Sequence, residues 1–138
     1  MKLKDFDFRI WDVNYKGCSN KNCKCQSNFI YGEEAKIRLS EFVNKDVEIE
    51  LWTGFYDKDG NKIFEGDILE NDHLKEIYCV IRDDEYKDYR IVIYRKDLNN
   101  EVYKKENDHN ISFFKIYPSN ESIRVIGNIH ENTELLKS

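Results

Sequence analysis

The sequence predicts a mainly β fold, a small barrel or sandwich, and three observations point to it. The residues that suit a pleated sheet are plentiful: aromatic residues make up 14% of the chain, while Ala and Met occur once each. Short segments alternate apolar and polar residues, the period of a half-buried strand. Turn signals recur every few residues, as they do in barrels and sandwiches. Leu, Ile, Val and Phe together make about 28% of the 138 residues, enough for a packed globule. No internal repeat and no Gly/Ser/Pro linker divides the chain. The expectation is therefore one domain over residues 1–138, or two small barrel-like subdomains sharing a core.

The first strand falls within residues 6–15. Phe6, Phe8 and Ile10 share one face, and Trp11, Val13 and Tyr15 share the other. The exchange of faces at Ile10-Trp11 calls for a bulge or for a strand covered on both sides. Residues 16–28 form a polar loop. Residues 33–43 give the one short helix, with Ala35, Leu39, Phe42 and Val43 on a single face and Glu33-Glu34 at its positive end. Residues 47–53 alternate again. The Asp59-Gly60 pair then signals a hairpin with a type I′ turn, in which both central positions need positive φ. The extended pattern resumes over 63–69, broken at Gly66, where a bend fits. Further strands are expected at 76–82, 89–95, 111–117 and 123–129, with Pro118 ending the third of these. The tail from Glu131 makes one helical turn or lies extended.

Charge and patterning exclude several functions. Lys and Arg number 22 against 27 Asp and Glu, for a net charge of −5, with no basic stripe for nucleic acid. No apolar run approaches the roughly 20 residues that span a membrane, so no membrane role is expected. The opening MKLKDFDFRI lacks the apolar core of a secretory signal, and the expected compartment is the cytoplasm. The six glycines are spread singly, with no G-x-G phosphate loop, and no cofactor is expected.

Four groups of residues are candidates for chemistry. Cys18, Cys23 and Cys25 are weak metal candidates: their C-x4-C-x-C spacing lacks the paired knuckle that presents two thiolates to zinc. Asp57-x-Asp59-Gly60-Asn61 has the look of a calcium loop. Setting Gly60 at its sixth position, however, puts Phe55 and Gly66 where oxygen ligands belong, which rules out an EF-hand. Glu65 and Asp67 flank Gly66 and suit either paired acid–base work or hydrogen bonds to turn N–H groups, the structural role being favoured. His73, His109 and His130 are scattered, and a Cys79–His73 dyad would have to be assembled in space. Among the aromatics, Trp52, Tyr78, Tyr86, Tyr89 and Tyr94 are the candidates for a contact surface, since Tyr and Trp are enriched at interfaces.

Three segments carry a family resemblance. Phe8-Arg9-Ile10-Trp11-Asp12 resembles the F-R-x-W-D opening of the YopX family of small phage and prophage proteins. The run from Thr53 to Ile68 is similar to its central signature, T-G-x-x-D-x-x-G-x-x-I-[FY]-E-G-D-I. Val125-Ile126-Gly127-Asn128-Ile129-His130-Glu131-Asn132 is similar to its closing V-I-G-N-I-x-E-N. The resemblance implies a mainly β fold with partly open, SH3-like barrel elements and a bacterial host, and it implies no activity. The cysteine loop and residues 70–122 fall outside the motifs. Read physically, Thr53, Gly54, Asp57, Asp59, Gly60, Glu65, Gly66 and Asp67 are a folding device of turns and bends. Function would then lie on other faces. The leading expectation is a non-enzymatic module that binds a host or phage protein. The alternatives are nucleic-acid binding through Arg90, Arg95, Lys104 and Lys105, metal-assisted hydrolysis by Glu65 and Asp67, and self-association through open sheet edges.

Overall fold

The computed structural model describes residues 6–12, 28–39, 47–83, 88–99, 101–104 and 109–136. The fold is mainly β, with a curled half-barrel sheet. The chain divides into two compact units, Met1–Trp52 and Thr53–Ser138.

The first unit contains β1 (Phe8–Trp11), β2 (Phe29–Tyr31), α1 (Gly32–Arg38) and the start of β3 (Glu48–Tyr56). β1 is the middle strand and pairs antiparallel with both neighbours. Its register runs unbroken from Phe8 to Trp11, so there is no bulge at Ile10-Trp11; the strand is instead covered on both sides. Phe8 and Ile10 pack with Ile30 and Ala35 in one small core. On the other face, Arg9 is 3% exposed and its Nε donates to Glu50 Oε1 at 2.9 Å, directly across the ladder. The guanidinium also stands 4.3 Å from the centre of the Phe29 ring. A buried ion pair of this kind holds only because both charges are matched at once. The helix predicted over 33–43 is present as α1 over Gly32–Arg38, with Leu39 still in helical backbone geometry. Ala35 is buried, but Leu39 is 42% exposed, and Phe42 and Val43 lie outside the described residues.

The second unit begins part-way along β3. Its elements are β4 (Lys62–Phe64), β5 (Asp67–Asn71), β6 (Glu76–Asp83), β7 (Asp88–Lys96), β8 (Val102–Lys104), β9 (His109–Asn110), α2 (Phe113–Ile116), α3 (Ser119–Ser122), β10 (Ile123–Asn128) and a final 3₁₀ turn (Thr133–Leu136). β3 pairs with β4, and the larger sheet runs β10-β5-β6-β7-β8, with β9 also on β7. Leu69, Tyr78, Val80, Ile91 and Ile93 turn to one face and form the main core with Ile63, Phe113, Phe114 and Ile123. Ile68, Cys79 and Val92 stand in register on the opposite face and are buried too. Among the described residues no helix is long and apolar enough to cross a membrane.

Two expectations need correction here. Residues 111–117 are not a strand: Phe113–Ile116 is a helical turn, and Ser119–Ser122 follows as another after Pro118. The reason lies in Phe113-Phe114. Adjacent strand residues face opposite sides, whereas a helical turn lets both rings enter one core, where they are 5% and 2% exposed. The hairpin at Asp59-Gly60 is not type I′ either. Gly60 has φ +84°, but Asp59 has no positive φ. The Gly60 N–H donates to Asp57 O and the Asp57 N–H to Asn61 O, which is a type I turn closed by a left-handed glycine.

Candidate functional site

The central and closing signature segments meet in the second unit, and Asp57 is where they join. Its side chain is buried. Oδ1 accepts from the N–H groups of Asp59 and Asn61, at 2.9 and 2.8 Å. Oδ2 accepts from the Asn61 amide at 3.2 Å and from the Val125 N–H at 3.0 Å, 68 residues away. Burial pushes this carboxyl up, but the hydrogen bonds from Val125, Asn61 and Asp59 outweigh it and hold it below the ordinary 3.8. The carboxylate thus closes its own turn and fixes β10 to it.

The rest of the central run is tied up similarly. Thr53 Oγ1 donates to Ile63 O at 2.7 Å across the hairpin. Gly54 continues β3 at φ +89°. Glu65 sits in the turn before β5 and Asp67 at its first position, both buried. Asp67 Oδ2 accepts from the Phe64 N–H at 2.8 Å, across the bend that Gly66 makes at φ +85°. The Gly66 N–H donates to Val80 O, and its carbonyl accepts from Ile129 in the closing segment, at 2.8 Å. That segment latches itself as well. Asn132 Oδ1 accepts from the Asn128 N–H, while Asn128 Oδ1 accepts from His130 and Glu131.

Of the contact-surface candidates in the second unit, Tyr78 and Tyr94 stand on opposite faces of the β6–β7 ladder. Tyr78 is fully buried, a correction to its expected exposure: it shares the inward face of β6 with Glu76 and Val80. Its hydroxyl donates to Glu76 Oε1 at 3.0 Å, and Arg95 Nε donates to Glu76 Oε2 at 2.7 Å. Burial first, and then the Glu76 carboxylate, raise the Tyr78 phenol well above its ordinary value. Tyr89 is half-buried against the main core, and burial followed by the Glu65 charge raises its phenol. Trp52 and Tyr94 are half-buried, and Tyr86 lies outside the described residues. So do Cys18, Cys23, Cys25 and Lys105. Of the basic candidates, Arg90 pairs with Asp83 at 2.8 Å and Arg95 with Glu76, while Lys104 is exposed. His73 stands in the exposed 72–75 turn, whereas Cys79 is buried in the middle of β6.

Beside the Asp57 turn lies an open hollow of about 710 Å³, which the sequence does not disclose. Phe55, Tyr56 and Phe114 line it, with Lys58 and Lys115 at its margin. The Phe55 and Phe114 rings meet edge-on at 5.4 Å. Buried Ser119 donates its Oγ to Tyr56 O at 2.8 Å and so fixes the start of α3 against β3. Next to the hollow, Ile116 is 70% and Tyr117 46% exposed. Reading 111–117 as a strand scatters these residues over two faces. The one local signal for them is Pro118-Ser119, a helix start four residues after Phe114, the second of two adjacent phenylalanines.

The YopX protein family model matches residues 7–137, nearly the whole chain. The chain belongs to the YopX family. No curated protein matches it. Among solved structures, this YopX chain is similar to protein EF1440 from Enterococcus faecalis, at 22% identity over 96% of this chain and 98% of that one, with a TM-score of 0.43.

Proposed function

We propose that this YopX chain is a non-enzymatic binding module of phage or prophage type whose partner is a protein. The observation that carries the reading is the division of labour in the second unit. The signature's polar side chains, Asp57 and Asp67 above all, are engaged by backbone N–H groups. Beside them stands an open, aromatic-floored hollow with exposed Ile116 and Tyr117. Exposed apolar and aromatic groups around a recess are what protein interfaces use as anchors. Arg90 and Arg95 are paired with carboxylates, which supports a protein over a nucleic acid.

The test is affinity capture of tagged full-length chain from a prophage-bearing host, with and without nuclease. We expect a partner that survives nuclease and is lost with Tyr117→Ala/Ile116→Ser. A partner that vanishes with nuclease overturns the reading in favour of nucleic acid.

A further inference from the structure

We propose that the hollow between the β3–β4 hairpin and α2–α3 is a docking site for an acidic segment of a partner protein, an apolar side chain flanked by carboxylates. This deepens the protein-binding reading above and rests on it. Phe55, Tyr56 and Phe114 supply the aromatic part of the hollow's lining, with Phe114 mostly buried beneath it. Its volume lies within the range of ligand clefts, which take one or a few side chains.

The charge around the floor is what selects the occupant. Lys58 and Lys115 both line the hollow and both are exposed. Among the described residues, neither ammonium is ion-paired, whereas Arg9, Arg90, Arg95 and Arg124 all are. Among the described residues the one acid lining the hollow is Asp57, and its two oxygens accept hydrogen bonds from Asp59, Asn61 and Val125. Its charge is therefore directed into the turn. The chain carries a net −5, yet this recess presents two cations with no ion-pair partner among the described residues. A nucleic acid would ask for a longer basic track than two lysines on an acidic chain. A carboxylate-bearing peptide asks for two lysines about an apolar seat, and such charge complementarity sets specificity and register at an interface.

A random twelve-residue peptide library displayed on phage is the probe. It is selected on the immobilised full-length chain, and the best hit is then synthesised and titrated by fluorescence anisotropy. We expect enriched peptides with two or more Asp or Glu around an aromatic or aliphatic residue, and affinity that falls as salt rises. The charge reversal Lys58→Glu/Lys115→Glu replaces two exposed side chains and should leave the melting temperature unchanged while weakening the hit at least tenfold. Enriched peptides without acids, a hit indifferent to the reversal, or no enrichment would each overturn the proposal. A nuclease-resistant partner whose capture survives Lys58→Glu/Lys115→Glu would refute this site while leaving the protein-binding reading intact.

Discussion

Asp57 shows how one side chain can do the work of a motif. A buried carboxylate is costly unless its lone pairs are met, and here four donors meet them. Replacing it with Ala strands the N–H groups of Asp59, Asn61 and Val125. We expect Asp57→Ala to cost about 3 kcal/mol in urea unfolding, from the penalty of leaving such groups unmet. The pH dependence has a definite sign. The folded carboxyl titrates below 3.8, so as pH falls the unfolded chain takes up the proton first. This part of the stability is present above about pH 4 and is lost as pH drops through the folded value. Asp57→Asn has no such proton to take up. Its deficit relative to the parent should shrink between pH 5 and pH 2, and a constant deficit would argue against the carboxylate's role.

At the scale of elements, β10 depends on the turn that follows it. Its register on β5 shifts between Val125 and Gly127, and Gly127 leaves room for the Asn132 side chain to fold back. A Cβ at Gly127 would lie 2.6 Å from Asn132 Oδ1 and 2.8 Å from Asn132 Cβ. Neither the strand nor the turn can give way without losing the hydrogen bond from the Asn128 N–H. We expect Gly127→Ala to lower stability by about 2 kcal/mol, in the range of overpacking, with the melting temperature as the measure. Gly127→Ala/Asn132→Ala should recover part of it. Elements like β6, β7 and β10 were legible in the sequence as short Ile-, Val- and Tyr-rich runs bounded by polar turns, although Tyr78–Val80 and Ile91–Ile93 are buried on both faces of the sheet. The 111–117 segment was not, because Phe113-Phe114 and Ile116 fit a short strand as well as a helical turn. Arg9 was hidden for a related reason. Its partner Glu50 lies 41 residues away, and no local pattern distinguishes a buried arginine from an exposed one. The hollow was illegible because it is made by segments about 60 residues apart.

At the scale of the whole molecule, the two units are unequally supported. Among the described residues the core of Thr53–Ser138 gathers nine buried side chains, and β6 is paired along both edges. The core of Met1–Trp52 gathers four among the described residues, and one of them is Ala35. Apolar burial is the main favourable term in folding, and small cores supply little of it. Backbone amides exchange through the cheapest opening that exposes them. Amides of Tyr78–Val80 and Ile91–Ile93 should therefore be the slowest in the chain. Those of Phe8–Trp11 and Ile30 should exchange through an opening confined to the smaller unit, at least about tenfold faster, which corresponds to roughly 1.4 kcal/mol. Hydrogen exchange followed by mass spectrometry or NMR measures this directly. Equal protection in both units would mean that they open together, as a single domain does. Separate protection would mean that the unit bearing the central and closing signatures keeps its hydrogen-bonded frame, and the hollow beside Asp57, while the smaller unit opens and closes.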